Sequence, residues 1–473
     1  MGDSPTPSPA PAKAWPDYRA VWRWHFYANF FCLPFVVILS ITGGIYLFKP
    51  QIEASSDARY DNLTLSGPLP SAEKHVRAAL AALPDASLVH YELPQAEDKA
   101  IRVIVRSGEV SHRVFVHPTS LEVLGHFPEN ERFSRLIFRI HGELMLGDRG
   151  SMLVELAASW TIIMILTGLY LWWPRQSRGL GGVLYPRLTQ GSRIFWRDTH
   201  SVTGIWISGL TLLLLVSGLP WSKSWGNYLK AVRKLTGTAV AQQEWSNSSE
   251  GGAGKRAAKP ASGGDHAGHG DHGGGKGRSR KAAAPLPKDL TAIDRIAETL
   301  TPMQLQPPVQ IAPPAKESQP WTAKSMTANR PWRVNLTLDG ETGKVLSQNG
   351  YREKHWIDKL VAIGIAAHEG QLFGWPNQVI GLLTVLGLLL LCFSGLVMWW
   401  RRRDPGSLGA LKEVARPRFA ISLLIIVLAL GIYLPLFGTS LILVVLLERF
   451  VLRRIPSLRN WLGLSSPALQ SAT

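Results

Sequence analysis

The sequence predicts a polytopic α-helical membrane protein. Two parallel repeats of transmembrane helix, periplasmic-type external α+β domain and transmembrane helix are followed by a C-terminal transmembrane hairpin. Three observations predict this class: five long apolar runs, a surplus of Lys and Arg beside those runs, and an internal repeat of more than 30 residues in the 473-residue chain. With 46% hydrophobic and 18% charged residues, the net charge of +17 does not fit a nucleic-acid-binding protein. We therefore expect no nucleic-acid partner.

The apolar runs are long enough to cross a lipid bilayer, because about 20 apolar residues span its hydrocarbon core. They cover residues 26–48, 152–173, 202–221, 378–400 and 419–447. The first four runs each predict one helix. Pro435 and Gly438 interrupt the fifth, which predicts a hairpin of two short helices. The first run lacks a small-residue cleavage site and is too long for a signal peptide.

The basic residues predict the orientation, because Lys and Arg accumulate in cytoplasmic loops. Four segments share this excess. They contain Lys13, Arg19 and Arg23; Arg175, Arg178, Arg187, Arg193 and Arg197; Arg401, Arg402, Arg403, Lys412, Arg416 and Arg418; and Arg449, Arg453, Arg454 and Arg459. Both termini are thus expected in the cytoplasm, and residues 49–151 and 222–377 are expected outside.

The runs and charges divide the chain into segments. In order, these are a disordered cytoplasmic tail (1–19), the first span (20–49), the first external domain (50–140), an outer His motif with the second span (141–175), a cytoplasmic loop (176–199), the third span (200–221), an external connector (222–245), a disordered insertion rich in Gly, Lys and His (246–287), the second external domain (288–354), an outer His motif with the fourth span (355–401), a cytoplasmic loop (402–417), the hairpin (418–452) and a cytoplasmic tail (453–473).

The repeat is clearest around the second and fourth spans. His141 and His368 are each followed by Gly after 6 residues, and by a Trp pair after 31 and 32 residues. The first and third spans match more weakly. His25 and His200 each follow a Trp-Arg pair, and Thr-Gly or Ser-Gly comes 17 and 18 residues later. Parallel repeats imply a pseudo-twofold axis along the membrane normal.

The external segments also match each other. Residues 113–125 and 333–346 each combine alternating apolar residues with a central turn, which predicts strand, turn and strand. Helical spacing of apolar residues precedes each, at 72–83 and 290–300.

Four histidines lie at ends of spans, His25 and His200 on the inner side and His141 and His368 on the outer side. Ionisable residues near a bilayer tend to mark function. Zinc usually takes four ligands including Cys or carboxylate, whereas haem iron takes two axial ligands. We therefore expect two haems, each held by two histidines. The arginines that lie near enough to pair with haem propionates, or else serve as topology signals or snorkelling side chains, are Arg23, Arg197, Arg135 and Arg139.

The insertion contains His266, His269 and His272. These side chains fit a weak surface metal site, or incidental residues of a solvated linker.

The repeated His-x-x-x-Leu/Phe-type element, the spans ending in Trp-Trp and the strand-turn-strand domains resemble the PepSY-associated transmembrane family. Within it, the chain is similar to bacterial inner-membrane ferric-siderophore reductases. The resemblance implies b-type haem (two, each bis-His) and PepSY folds for the external domains. It carries ligation over to His141 and His368 through the repeated motif, and to His25 and His200 through a shorter match.

The resemblance also implies one-electron reduction of Fe(III) in a periplasmic siderophore complex, or of another metal chelate. The reduced metal is released because hard oxygen donors hold Fe(II) less tightly. No nucleotide-binding Gly-rich fingerprint follows a strand, so the electron donor is expected to be another protein, a soluble flavin or a quinol. The candidate substrate residues are Arg352, Lys354, His355 and Trp356. An amphipathic helix would explain Trp356 equally well.

Two other functions remain open. The first is a transporter or permease for a metal or metal chelate, since parallel repeats are common in transporters. Mid-membrane polar sites in broken helices would favour it. The second is a membrane-anchored PepSY protein that binds or regulates a partner. That reading leaves the paired histidines unexplained.

Overall fold

The computed structural model of the protein describes residues 17–174, 179–238, 289–315, 319–411, 413 and 421–464. The predicted insertion 246–287, with His266, His269 and His272, lies outside the described residues, as does most of the predicted tail 1–19. The chain divides into two compact units. The helical unit comprises residues 1–45, 139–237 and 379–473, and the sheet unit comprises residues 46–138 and 238–378.

The elements are as follows. The helices are α1 (Tyr18–Tyr46), α2 (Lys49–Asp57), α3 (Ala72–Ala81), α4 (Phe133–Glu143), α5 (Asp148–Trp172), α6 (Ser192–Gly218), α7 (Lys223–Leu235), α8 (Ala292–Leu300), α9 (Trp356–His368), α10 (Trp375–Arg402), α11 (Ile421–Tyr433), α12 (Pro435–Leu447) and α13 (Pro456–Leu462). The strands are β1 (Ser87–Glu92), β2 (Ile101–Ser107), β3 (Val110–Val116), β4 (Val123–Pro128), β5 (Val309–Ala312), β6 (Trp321–Ser325), β7 (Asn335–Leu338) and β8 (Val345–Asn349).

Five helical segments of the described chain are long and apolar enough to cross a membrane, one in each predicted run. They are Tyr18–Tyr46, Asp148–Trp172, Ser192–Trp221, Trp375–Arg402 and Pro435–Leu452. A shorter apolar helix, Leu423–Tyr433, precedes the last of them. The protein is therefore a membrane protein that also carries an α+β domain, as the sequence predicts.

The fifth run folds as two helices, and the chain reverses between them. A Cβ on Gly438 would lie 2.7 Å from the carbonyl oxygen of Gly431, so α12 and α11 approach each other closely at their junction. At the other end, Nη2 of Arg453 lies 2.6 Å from Oε1 of Glu413. Only a reversal brings residues so far apart in the chain into an ion pair.

Three segments that were assigned to the cytoplasm meet in the helical unit. Nη1 of Arg23, near the start of α1, donates to the carbonyl oxygens of Leu411 and Gly463. The N–H of Leu408 donates to the carbonyl oxygen of Trp461 at 2.8 Å. The start of α1, the segment after α10 and the end of α13 thus lie together, as a shared side of the membrane requires.

Glu155 is the one acidic residue within the predicted second span, and its partners explain it. The side chain is 2% exposed. Its Oε2 accepts the backbone N–H groups of Ser224 at 2.9 Å and Trp225 at 3.0 Å. These are free N–H groups of the first turn of α7, where negative charge is stabilising. Glu155 therefore anchors α7 to α5.

The strands form one antiparallel sheet of eight, in the order β4-β3-β2-β1-β5-β6-β7-β8. The sequence predicts a separate external domain in each repeat. The structure instead joins the two sets of four strands through β1 and β5, with Tyr91 opposite Ile311 and Glu92 opposite Gln310. The predicted strand pairs correspond to β3–β4 and β7–β8. The four inner strands were not predicted, because they lack clear turn signals on both sides.

The helices α3 and α8 cover one face of this sheet. Val76 of α3 and Ile293 and Ile296 of α8 are completely buried against strand residues such as Val103 and Leu336. The helices also contact each other, since Oδ1 of Asp294 accepts the N–H of Glu73 at 3.1 Å. This apolar layer is the main core of the sheet unit, and it includes residues from both halves of the sheet.

An ion-pair cluster holds β1, β3 and the turn after β4 together. Nη1 of Arg113 lies 3.3 Å from Oε1 of Glu92, and its Nε lies 2.5 Å from Oε1 of Glu129. Burial raises the pKa of Glu92, but the Arg113 guanidinium and the bond from His90 lower it by more, so that its pKa is about 2. Glu92 is therefore ionised in the folded protein across the physiological range.

Candidate functional site

The histidines predicted for the inner side face each other in the helical unit. His25 lies on α1 and His200 on α6. Their ring centroids are 6.4 Å apart, and the ring planes are nearly perpendicular at 88°. Both side chains are half-buried. The inner pair of the sequence analysis is thus a close pair of imidazoles.

Each of these imidazoles is held through its Nδ1 atom. Nδ1 of His25 bonds the carbonyl oxygen of Met164 at 3.0 Å and the hydroxyl of Thr167 at 3.1 Å. Nδ1 of His200 bonds the carbonyl oxygen of Leu391 at 3.2 Å and the hydroxyl of Ser394 at 3.1 Å. A carbonyl oxygen only accepts, so Nδ1 carries the proton in both rings, and Nε2 of a neutral ring keeps its lone pair. This is how proteins orient histidines that ligate metals.

A glycine makes room for each of these rings. A Cβ on Gly168 would lie 3.1 Å from Cε1 of His25, and a Cβ on Gly395 would lie 3.5 Å from Cε1 of His200. Each glycine directly follows the Thr or Ser that bonds Nδ1. The hydroxyl and the missing side chain therefore act together on one imidazole.

The same construction recurs at the opposite end of α1. Nδ1 of His141 lies 3.0 Å from the hydroxyl of Thr42, which itself donates to the carbonyl oxygen of Ile38 at 2.7 Å. A Cβ on Gly43 would lie 3.1 Å from Cε1 of His141. Since His25 and Thr42 are 17 residues apart on one helix, the two sites are separated by about 25 Å along α1.

His368 is the last residue of α9 and is half-buried in the sheet unit, whereas His141 belongs to the helical unit. The turn that follows His368 is fixed by Asn377. Nδ2 of Asn377 donates to the carbonyl oxygen of Ala367 at 3.0 Å, and its Oδ1 accepts the N–H of Leu372 at 3.1 Å. Pairing of His141 with His368 on one haem stays a prediction.

The predicted propionate partners have other contacts. Arg23 is buried and donates to carbonyl oxygens of the C-terminal segment. Nη2 of Arg197 pairs with Oδ1 of Asp198 at 2.8 Å, although the Arg197 side chain is 58% exposed. Arg135 lies over the ring of Phe138, 4.8 Å from its centroid. Arg139 is half-buried.

The predicted substrate segment begins α9. His355 is the N-cap residue, and its Nδ1 accepts the N–H of Ile357 at 3.3 Å. The ring of Trp356 is 5.7 Å from that of His355 and the residue is 63% exposed. Arg352 is exposed and Lys354 is half-buried. His355 therefore has a structural task, and Trp356 leads an exposed apolar stripe with Leu360 and Ile363, as the amphipathic alternative predicts.

The inner pair fits a haem by its donors and its spacing. Haem iron takes one ligand on each side of the ring. Two imidazoles on opposite sides of one metal ion, with metal–nitrogen distances of about 2.0–2.1 Å, have centroids about 6.4 Å apart. His25 and His200 match this spacing, and both present Nε2 as the free donor. No group of three or more His, Cys, Asp or Glu side chains that could hold a metal forms among the described residues.

Sequence reasoning missed the groups that orient the imidazoles. The carbonyl oxygens of Met164 and Leu391 leave no trace in the sequence, because every residue has one. The hydroxyls do leave a trace. A Thr-Gly or Ser-Gly step occurs once in each of the first four spans, at Thr42, Thr167, Ser217 and Ser394. Its use in the two spans that hold Gly168 and Gly395 went unnoticed.

Comparison with known families agrees with this architecture. The model of the family described as the PepSY-associated TM region matches residues 22–402. The match includes all four histidines and ends before α11. Comparison with curated proteins gave no significant match. The matched range covers most of the chain, and with its five apolar helices the protein is a multi-pass membrane protein. The chain therefore belongs to the PepSY-associated transmembrane family.

Proposed function

We propose that this protein is a haem-bearing reductase of the bacterial inner membrane. It passes electrons from a cytoplasmic or quinol donor to a ferric siderophore or another metal chelate in the periplasm, and the reduced metal is released. The observation that carries this proposal is the 6.4 Å spacing of the His25 and His200 rings. Transport or regulation alone would not require two imidazoles with equally oriented donors.

We also infer that the helical unit is built from two parallel repeats. Equivalent contacts support this inference. Thr167 and Gly168 serve His25 as Ser394 and Gly395 serve His200. The Trp pairs match as well, because Nε1 of Trp172 donates to the carbonyl oxygen of Val183 and Nε1 of Trp399 to that of Leu408. Each repeat thus ties the loop after its second span to a Trp at the end of that span.

His25 and His200 would hold the inner haem, which supplies one-electron chemistry when bound. The protein's part is to fix the ligands. The carbonyl oxygens of Met164 and Leu391 keep the proton on Nδ1, which makes Nε2 the donor and increases its basicity. His141 is oriented in the same way by Thr42, and we assign it with His368 to an outer haem.

The first test is spectroscopic. Full-length protein from haem-replete cells is expected to show a Soret band and about two haems per chain, one for each pair of axial histidines. His25→Ala and His200→Ala are each expected to remove one haem and spare the other. The matched control is His117→Ala, since Nδ1 of His117 only accepts N–H groups in the β3–β4 turn. A colourless preparation contradicts the proposal.

The second test separates reduction from transport. Proteoliposomes with an internal reductant are supplied with an external ferric chelate, and Fe(II) is measured outside with a chromogenic chelator. The proposal requires Fe(II) formation that His25→Ala abolishes. Uptake of labelled chelate without Fe(II) formation would identify a transporter. Haem without either activity would leave a haem protein that is not a metal reductase.

A further inference from the structure

A second pair of imidazoles lies in the sheet unit, on strands that carry none of the four histidines discussed above. We propose that His112 and His126 form a binding site for one divalent transition-metal ion of the zinc and copper class. The proposal does not depend on haem or on reduction.

The register of the sheet brings these two side chains together. In the antiparallel pair β3–β4, His112 is opposite Pro128 and Val114 is opposite His126. His112 and His126 are thus diagonal neighbours on one face of the sheet, within reach of each other. Their ring centroids are 6.0 Å apart with an angle of 67° between the planes.

This spacing suits a shared ion. With metal–nitrogen distances of about 2.0–2.1 Å, two imidazoles on one ion have centroids between about 4.5 Å at a right angle and about 6.4 Å in a line. The observed 6.0 Å lies inside that interval. The histidines can therefore bind one ion with rotations of their side chains alone.

His112 also has a buried nitrogen that calls for a partner. Its Nδ1 is buried and makes no hydrogen bond. Buried polar atoms in proteins are nearly always hydrogen-bonded, and an exception points to a water or an ion. A nitrogen with a free lone pair beside a second imidazole is a metal donor of the kind that Zn²⁺, Cu²⁺ and Ni²⁺ prefer.

The surroundings favour an exchangeable cation. β4 is an edge strand of the sheet, and His126 is exposed, so the site opens to solution. The carboxylate of Glu131, just after β4, acts electrostatically on His112. Since no group of three or more ligating side chains forms in the described chain, water would complete the coordination. A site with two protein ligands exchanges its ion more easily than a closed four-ligand site.

The test uses full-length protein in detergent in which His266, His269 and His272 have been replaced by Ala, so that the histidine-rich insertion does not contribute. Zn²⁺ and Cu²⁺ are the probes and Mg²⁺ is the control ion. Binding is measured by equilibrium dialysis and by peptide-resolved protection of histidines from diethyl pyrocarbonate. Zn²⁺ and Cu²⁺ are expected to protect His112 and His126 together, and Mg²⁺ to protect neither.

The variants are His126→Ala, His112→Ala and His117→Ala. His126→Ala changes an exposed side chain, so the fold is retained, and it is expected to weaken binding of the ion by at least about tenfold. His117→Ala replaces a histidine of the same hairpin whose Nδ1 already has partners, and it is expected to bind normally. Equal binding by all three variants, or equal loss in all three, would overturn the proposal.

Discussion

The imidazole of His25 lies 6.4 Å from that of His200, and each ring donates its Nδ1 proton to a carbonyl oxygen of a neighbouring helix. Four helices are needed for this arrangement: α1 and α6 supply the rings, and α5 and α10 orient them. The pair is therefore a property of the folded bundle. Each orienting group can be altered by one substitution, which makes the arrangement testable.

The glycines are expected to differ in tolerance. Gly168→Ala and Gly43→Ala place a Cβ 3.1 Å from the imidazoles of His25 and His141, so each ring must move by a few tenths of an ångström. Gly395→Ala places its Cβ 3.5 Å from His200, an ordinary contact. We expect severalfold less bound haem in the first two variants and little change in the third. Haem content and the low-spin spectrum measure this, and equal losses in all three would contradict it.

The hydroxyls are expected to tune the ligands. Thr167→Val keeps the shape of the side chain and removes the bond to Nδ1 of His25, leaving the carbonyl oxygen of Met164 as its partner. Loss of such a partner typically costs 10–100-fold in affinity, and we expect about tenfold, with a higher midpoint potential because Nε2 becomes less basic. Thr167→Ser is expected to restore both. Redox titration distinguishes this role from packing, which would leave the potential unchanged.

Glu155 is expected to matter for stability and not for colour. Glu155→Ala leaves the N–H groups of Ser224 and Trp225 without their buried acceptor, at a cost of about 1–3 kcal/mol. The control is Asp148→Ala, because Asp148 is 75% exposed and its pair with Lys223 belongs to a class that contributes little. Thermal unfolding in detergent is the measurement. Equal lowering of Tm by both variants would argue against the anchoring role.

Acid is expected to weaken the sheet unit through Glu92. The pKa of Glu92 is about 2 in the folded protein, below its unfolded value of about 4.3. A depressed carboxyl pKa stabilises the fold above the unfolded pKa, and this contribution disappears as the pH falls toward 2. The free energy involved is on the order of a few kcal/mol. Tm measured from pH 7 to pH 2 is expected to fall steeply below pH 4.5.

Two variants isolate this effect. Glu92→Gln is expected to lower Tm at pH 7 and to flatten its dependence on pH, because the partner of Arg113 no longer titrates. Glu122→Gln changes an exposed acid near the start of β4 and is expected to follow the unaltered protein. A Glu92→Gln profile as steep as that of the unaltered protein would show that other carboxyls carry the acid sensitivity.

The spans were predictable because each depends on a local property, the length of an apolar run. The inner pair was also predictable, since His25 and His200 occupy equivalent positions in a repeat. The partners of Arg23 were not, because hydropathy carries no information on contacts between residues more than 380 positions apart. The same limit hid the bond from Thr167 to His25. Hydroxyls in apolar helices usually bond their own helix, as Thr161 does.

The joining of β1 to β5 has a consequence for how the chain folds. Tyr91 and Ile311 are more than 200 residues apart, so the edge of β1 stays open until two further spans have been synthesised. An open edge invites pairing with other chains. The length of the intervening segment matters little, because each doubling adds only about 0.6 kcal/mol to the cost of closing a loop. The connection between the two halves is thus a place where evolution can lengthen the chain without weakening the sheet.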